Sequence, residues 1–305
     1  MPKISIVIPA YNSEKTIRAT VESVIRQTFN DWELIIINDG SHDSTLEIAS
    51  QVKDSRIKLF SFDNAGLSAS RNRGLKRAVG EFVSFLDADD IWTSDKLAMQ
   101  LKALENNPQA AVAYSWTDYI DENGKFAFSG SYINVNGDVY EYLLMSNFLE
   151  NGSNPLIRRE ALITLDGFDE SLISAEDWDM WLRLANKFDF VCVPSVQILY
   201  RINPNSLSSN VVRQEKFCLE VLKRGYQERP PSLKCSWNIS LANLYKYLFV
   251  KALQKPFNLQ KSLAAAKFLC NYLWNECFRF QYVTFKLFSI YHAKKRTYTS
   301  HIKMK

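Results

Sequence analysis

The run Phe82-Val83-Ser84-Phe85-Leu86-Asp87-Ala88-Asp89-Asp90 ends an apolar strand in three carboxylates. Side chains two apart on a strand point the same way, so Asp87 and Asp89 can converge beyond its carboxyl end. Hard oxygen ligands of this kind suit Mg²⁺ or Mn²⁺; Mg²⁺ in particular is usually held by one or two carboxylates together with substrate phosphates. A solvated acidic turn leading into the next helix is the plain alternative.

Three further strand ends carry residues of similar promise. Pro9-Ala10-Tyr11-Asn12 follows the first strand and Asn38-Asp39-Gly40-Ser41 the second. Asn64-Ala65-Gly66-Leu67-Ser68-Ala69-Ser70-Arg71-Asn72 follows the third. Together the four blocks offer an aromatic face, a carboxylate able to accept from a base N–H, an arginine and an acid pair for a cation. That is a nucleotide-diphosphate site in outline. Each residue also has a structural reading. Tyr11 can pack a loop, Asp39-Gly40 favours a turn by itself, and Arg71 can be an exposed helix residue, the usual fate of arginine.

These blocks need a scaffold that brings strand ends to one edge. Strands are expected at Ile4–Ile8, Trp32–Asn38, Ile57–Phe62, Phe82–Leu86 and Ala111–Ser115. Helices are expected over about 14–27, 44–53, 67–79 and 95–106. Continuous apolar strands separated by amphipathic helices predict an α/β fold with a mostly parallel, Rossmann-like sheet covered on both faces. Ligands bind such sheets beyond the carboxyl ends of the strands. Between Thr117 and Tyr200 the alternation breaks down. There Asp121-Glu122-Asn123-Gly124 signals a hairpin, 177–187 a helix, and 190–193 and 196–200 two short strands. Gly, Ser and Asn are frequent near 129–138 and 151–154. This irregular region is where an acceptor pocket is expected.

Composition is that of an ordinary globular chain of 305 residues with net charge +4. The charge is unevenly placed: residues 1–210 hold 19 Lys and Arg against 29 Asp and Glu, and residues 211–305 hold 18 against 4. Met1 leads directly into the first strand, so no signal peptide is expected, and no apolar run is long enough to span a bilayer. The 5 cysteines lack zinc-ligand spacing, and their odd number precludes complete internal pairing. A reduced, cytoplasmic compartment is the expectation. Aromatics and lysines interleave from Phe278 to Lys305. Such a helix can lie on an anionic membrane surface or pack on the rest of the protein with its lysines solvated. No nucleic-acid-binding motif accompanies the charge, so no nucleic-acid partner is expected.

The blocks Pro-Ala-Tyr-Asn, Asn-Asp-Gly-Ser, Asn-Ala-Gly-x-Ser-x-x-Arg-Asn and Asp-Ala-Asp-Asp occur in the order and spacing of the family 2 glycosyltransferases. The first two-thirds of the chain, about residues 3–205, resembles their GT-A-fold catalytic domain. The resemblance implies a catalytic domain over 1–210, with a nucleotide-binding half over 1–115 and an acceptor half over 116–210. A basic, aromatic-rich helical region follows over 211–305. It implies that Pro9 and Tyr11 line the nucleobase pocket with Asn12 beside them. Asp39 accepts from the base, and Arg71 lies near the base and phosphates. Asp87 faces the ribose, and Asp89 binds the Mn²⁺ or Mg²⁺ that bridges the diphosphate, with Asp87 as its companion. Asp90 is an accessory that orients the acceptor or metal waters.

Ala175-Glu176-Asp177-Trp178-Asp179 resembles the family's second catalytic motif. It implies that Asp177 is the general base of an inverting transfer, with Glu176 accessory. The alternative for Asp177 is a helix N-cap. A helix N-terminus lowers a carboxylate's pKa, while Glu176 and Asp179 nearby would raise it. Trp178 and Trp181, at helical spacing, are core rather than a sugar platform. Arg201 is a candidate diphosphate contact. Asn203 stands where relatives often carry a histidine, and it can coordinate a hard cation but cannot carry a proton charge.

The expected activity is transfer of one hexosyl or hexosaminyl unit from a UDP-linked donor to a glycan or lipid-linked glycan, for surface polysaccharide synthesis. It is placed at the inner face of the cytoplasmic membrane. Processive members carry Gln-x-x-Arg-Trp, which this chain lacks. A sugar nucleotidyltransferase would want a Gly-rich, Arg-bearing loop after the first strand, where Pro9-Ala10-Tyr11-Asn12 stands. A non-catalytic scaffold of the same fold is the other alternative, against which Asp87, Asp89 and Asp177 count.

Overall fold

A computed structural model describes residues 1–203, 209–229, 236–253 and 259–276. The chain divides into two compact units, Met1–Arg229 and Pro230–Lys305. The first begins as β1 (Ile4–Ala10), α1 (Ile17–Ile25), β2 (Trp32–Asp39), α2 (Thr45–Gln51), β3 (Ile57–Phe62), α3 (Leu67–Leu75) and β4 (Phe82–Phe85). Next come β5 (Ile91–Trp92), α4 (Lys96–Asn106), β6 (Ala110–Ile120), β7 (Phe126–Ser129) and α5 (Tyr140–Met145). It closes with β8 (Leu156–Arg158), α6 (Arg159–Thr164), α7 (Glu176–Ala185), β9 (Asp189–Arg201) and α8 (Val211–Glu228).

One nine-stranded sheet runs in the order β3-β2-β1-β4-β8-β6-β9-β5, with β7 added to β6. Pairings within the first four strands are all parallel. Every residue of β1 and β2 is buried, as strands covered on both faces require. The other half is mixed. β8 runs antiparallel between β4 and β6, β6 and β9 are parallel, and the two-residue β5 closes the edge antiparallel to β9. Since β8 opposes both neighbours, β6 runs the same way as β4. Its distal part therefore extends along the edge at which β1, β2 and β4 end.

The hairpin at Asp121–Gly124 is present as the β6–β7 turn, where Gly124 N–H donates to Asp121 O at 3.0 Å. Two expected features differ. The strands at 190–193 and 196–200 are one 13-residue strand. Its pairing with β6 steps from Val193 to Val196, so Pro194, which has no N–H, sits in a bulge rather than ending the strand. The helix over 211–228 falls inside the first unit, although the charge shift at 211 had placed it with the carboxyl-terminal region. It packs on α5 and α7, Tyr140 O–H donates to Gly225 O at 2.6 Å, and Arg224 pairs with Asp169 at 2.7 Å.

The second unit contains α9 (Ser236–Ala252) and a helix over 259–276. Tyr245 of the first and Phe268 of the second have ring centroids 6.0 Å apart. Among the described residues no helix is long and apolar enough to cross a membrane. The basic and aromatic stretch from Phe278 to Lys305 lies outside the described residues.

Helix α3, which carries Arg71, is seated on β1 through Gly74. A Cβ there would lie 2.2 Å from Val7 Cγ1 and 2.9 Å from Cγ2. Val7 is fully buried in a central strand and is stiff at χ1. Overpacking of about 1–3 kcal/mol therefore outweighs the gain of up to about 1 kcal/mol from replacing a helical glycine. Gly74→Ala should lower the melting temperature, and adding Val7→Ala should recover part of the loss; thermal denaturation of the two variants checks both.

Candidate active site

The strand ends of β1, β2 and β4 and the start of α7 supply the site. Pro9 is buried in β1 opposite Ile37. Tyr11, just beyond the strand, is 48 % exposed with its ring edge-on to His42. Asn12 adopts φ 48° and locks two loops together. Its N–H donates to Ser41 Oγ at 3.1 Å, and its Oδ1 accepts from His42 N–H at 2.9 Å.

Asp39, at the end of β2, is buried and well supplied with donors. It accepts from Ala65 N–H at 3.1 Å, Gly66 N–H at 2.9 Å and Arg73 Nη1 at 2.8 Å. In this arrangement its carboxylate fastens the start of α3. Arg73, which sequence reasoning passed over, also stacks over Phe62 at 4.8 Å. Its position two residues after Arg71 was the only signal.

Arg71 is 1 % exposed. Its Nη2 donates to Asp87 Oδ1 at 2.7 Å and its Nη1 to Glu176 Oε1 at 2.8 Å. It was expected near the base and phosphates; in the structure both terminal nitrogens join the Asp87 turn to the start of α7. A backbone without a side chain makes room for it, since a Cβ on Gly152 would lie 2.2 Å from Nη2. The flanking carboxylates push the guanidinium pKa up despite the opposing effect of burial.

Through this bridge Asp87 and Glu176 are drawn together, and both, with Arg71, act on the adjacent Asp177. Asp89, half-buried, has its pKa pushed up to about 6, by burial first and by the charge of Asp87 second. Asp87 and Asp89 are the residues able to hold a divalent cation. Among the described residues no group of three or more His, Cys, Asp or Glu is arranged to do so alone, so further ligands would have to come from a bound diphosphate or water.

Asp90 and Arg201 have different surroundings from those expected. Asp90 is fully buried, accepting from Ser153 Oγ at 2.5 Å and Arg201 N–H at 3.0 Å, so it cannot face acceptor or metal waters. Arg201 donates to the carbonyls of Asp89 at 2.9 Å, Asp121 at 3.1 Å and Glu122 at 2.9 Å. It braces backbone where a diphosphate contact was expected. Asn203 is exposed just past the end of β9.

Helix α7 begins after Ala175, which takes the cap position in left-handed conformation with φ 59°. Asp177 is therefore the second helical residue rather than the N-cap. Burial first and Glu176 second push its pKa up to about 7, against the lowering effects of Arg71 and of the Trp178 N–H. Asp179 is taken up by Arg183 at 2.7 Å. Trp178 and Trp181 are buried core residues, as expected. Glu150, at φ 70°, is likewise pushed up to about 7 by burial, while accepting from Ser131 N–H at 2.8 Å. Gly152 and Ser153 were missed as site residues, and their only signal was the polar run 151–154.

Comparison with known proteins identifies the family and the fold. The family model described as "Glycosyltransferase like family 2" matches residues 5–252, and the chain belongs to that glycosyltransferase family. It is 32% identical over 222 residues to an Escherichia coli UDP-Glc:α-D-GlcNAc-diphosphoundecaprenol β-1,3-glucosyltransferase, WfgD, covering 72% of this chain and 85% of that one. Another E. coli enzyme of the same described activity, WfaP, is 30% identical over 251 residues, covering 82% and 97%. Among solved structures, residues 1–349 of TarS from S. aureus in complex with UDP-GlcNAc superpose with a TM-score of 0.61. That match has 20% identity and covers 92% of each chain. It shows the GT-A-type fold.

The raised pKa of Asp177 predicts a cost in stability. Between the unfolded value near 3.8 and the folded value near 7 the native state binds more protons, so stability falls as pH rises through that window. Asp177→Asn removes the charge and should melt higher than the parent at pH 8, with the difference vanishing towards pH 4. Melting curves across that range check it, and an equal difference at every pH would contradict it.

Proposed function

We propose that this glycosyltransferase moves one sugar, with inversion, from a UDP-sugar to a hydroxyl of a lipid-linked or other glycan, for polysaccharide synthesis. The observation that carries the reading is the Arg71 bridge. Arg71 pairs with Asp87, two residues before Asp89, and with Glu176, the neighbour of Asp177, which supports a site beyond the sheet's carboxyl edge, where ligands of open α/β sheets bind. The donor and acceptor classes follow the descriptions of the two E. coli relatives.

In this reading Asp177 accepts the proton of the acceptor hydroxyl as that oxygen bonds to the anomeric carbon. The bond from that carbon to the diphosphate breaks, and the nucleoside diphosphate leaves with the electron pair. One displacement inverts the centre, so an α-linked donor gives a β-linked product. A carboxylate whose pKa lies close to neutrality is suited to this task. Asp87 and Asp89 fit Mn²⁺ or Mg²⁺, because two hard carboxylates whose like charges act on each other favour a small divalent cation. When bound, such an ion supplies Lewis-acid neutralisation of the charge growing on the diphosphate.

Tyr11, exposed beside Pro9 and Asn12, is available to the nucleobase. Arg71, Asp39 and Arg201 serve the donor through the backbone and side chains they hold. On the acceptor side Tyr132 stacks on Trp116 with centroids 4.8 Å apart, and Tyr132 O–H donates to Asp118 at 2.5 Å. Aromatic faces beside carboxylates suit a sugar ring with its hydroxyls. The lipid carrier in the relatives' described acceptor, together with the positive excess over 211–305, supports peripheral attachment at the inner face of the cytoplasmic membrane. A nucleotidyltransferase reading lacks a Gly-rich loop after β1.

Asp177→Asn should retain UDP binding while lowering turnover by at least about 100-fold, the scale of a lost general base. Normal turnover would move the base elsewhere, with Glu150 the next carboxylate to test. Separately, Asp89→Ala should lose the Mn²⁺-dependent part of UDP affinity. Calorimetric titration of UDP with Mn²⁺ or with chelator measures this, and unchanged affinity would remove Asp89 from the metal site.

A further inference from the structure

The turn from Asp87 to Asp90 is held at every residue. Asp87 N–H donates to Ser153 Oγ at 3.0 Å, and Asp87 O accepts from Asp90 N–H at 3.1 Å. Ala88 O accepts from Thr16 Oγ1 at 2.9 Å and Thr20 Oγ1 at 3.0 Å. Asp89 O accepts from Arg201 Nε, and Asp90 O from Thr20 Oγ1, each at 2.9 Å.

Two of these anchors converge on the carboxylate of Asp90. Its Oδ2 accepts from Ser153 Oγ at 2.5 Å, and its Oδ1 accepts from Arg201 N–H at 3.0 Å. The Ser153 hydroxyl thus accepts from Asp87 N–H and donates to Asp90. Arg201 is gripped by Asp90 through its N–H while its side chain grips Asp89 O. Ser153 is itself fixed: its N–H donates to Asn151 Oδ1 at 3.1 Å, and its carbonyl accepts from Trp92 Nε1 at 2.8 Å. Ser153 and Asp90 are both fully buried. The hydrogen bonds therefore form a chain, Asp87–Ser153–Asp90–Arg201–Asp89, which the backbone from Asp87 to Asp89 closes into a circuit, and its two ends are the residues proposed to hold the cation.

We propose that Asp90 and Ser153 are a positioning pair that sets the separation and aim of Asp87 and Asp89. Asp90 itself is no ligand, although it belongs to the same Asp-Ala-Asp-Asp run. Asp90 follows β4 and Ser153 precedes the antiparallel β8, so the two meet at one edge of the sheet and the loop before β8 presets the proposed cation site of the β4 turn. This rests on the proposed role of Asp87 and Asp89. Partners that orient metal-binding carboxylates typically change metal affinity by about 10–100-fold when removed.

The test compares the full chain with Ser153→Ala, Ser153→Cys, Asp90→Asn and the double variant Ser153→Ala/Asp90→Asn. Two readouts are taken: calorimetric affinity for UDP in the presence of Mn²⁺, and amide hydrogen exchange at Asp87 and Arg201 without any metal. Each single variant should weaken Mn²⁺-supported UDP binding about 10-fold, with the double variant no worse than the weaker single, as members of one circuit couple. Exchange at both amides should speed up in every variant. Ser153→Cys keeps the side-chain bulk with a weak donor, and it and Asp90→Asn carry the test should Ser153→Ala not fold. Affinity within twofold of the parent with unchanged exchange in the folded Ser153 variants overturns the pair. So does abolition of binding by Asp90→Asn with Ser153→Cys unaffected, which would make Asp90 a ligand. A parent protein that binds no UDP with Mn²⁺ overturns the proposed function instead, and the exchange readout then still judges the circuit.

Discussion

A single buried guanidinium organises the cleft. Burying Arg71 without partners would cost several kcal/mol (about the effective penalty per buried ion), and its two carboxylates repay this only by both being held in place. Glu176 lies 105 residues further along the chain and Asp87 only 16, so the ion pair ties the start of α7 to the turn after β4. The charges are divided with a consequence for chemistry. Asp87 and Glu176 share the cation, while Asp89 and Asp177 are raised to about 6 and 7 by burial and like charge. On the proposed function Asp87 would be shared between Arg71 and the divalent ion, Asp89 would serve the ion, and Asp177 would be left to take the acceptor proton.

Asp177, beside this bridge, escapes two influences that would hold its pKa down. At the second position of α7 the helix dipole favours its charged form, as does the nearby Arg71. Burial and Glu176 outweigh both. Asp179 contributes nothing to this balance because Arg183 holds it and Arg224 approaches at 3.9 Å. Helix α7 is itself placed from α3: Asn72 Oδ1 accepts from Phe168 N–H at 2.8 Å and its Nδ2 donates to Phe168 O at 2.9 Å. Ser68 Oγ donates to Leu172 O at 3.2 Å. One short helix, bearing Ser68, Arg71 and Asn72 on a stripe, therefore fixes the approach of the loop that ends in the catalytic motif.

The parallel half was legible in the sequence because β1, β2 and β4 are uniformly apolar and are followed by turn-forming residues with chemistry to offer. Two residues of β5 are too few to show any periodicity, and Ile91-Trp92 reads as the approach to α4. Pro194 is a good reason to end a strand, and only pairing with β6 shows that a bulge absorbs it. Charge misplaced α8, since its lysines and arginines say nothing about the face carrying Phe217, Val221 and Leu222, which is buried. Buried cations were the least legible of all. Arg71, Arg201 and Lys96 each sit on an element where exposure is the usual outcome. Lys96, over the Trp92 ring and bonded to Ser84 Oγ at 2.5 Å, has its pKa pushed well down by burial. Their partners come from distant segments, which no local pattern encodes.

The division into a nucleotide half and an acceptor half, natural in the sequence, does not survive as a division of labour at the site. Strand β8 enters between β4 and β6, and the residues just before it reach back into the donor side. Gly152 admits Arg71, Ser153 holds the backbone of Asp87, and Asn154 fastens β6 by accepting from Ser115 N–H at 2.9 Å and donating to Ser115 O at 2.8 Å. Three consecutive residues thus serve the cation bridge, the acid turn and the acceptor strand in turn. The β6–β7 ribbon is free to vary, since its four β7 residues are all exposed. The same freedom is denied to 152–154, because a shift there is transmitted to Asp87 through Arg71 and Ser153. On the proposed function, acceptor preference would vary in that ribbon while the geometry around Asp87 stays fixed.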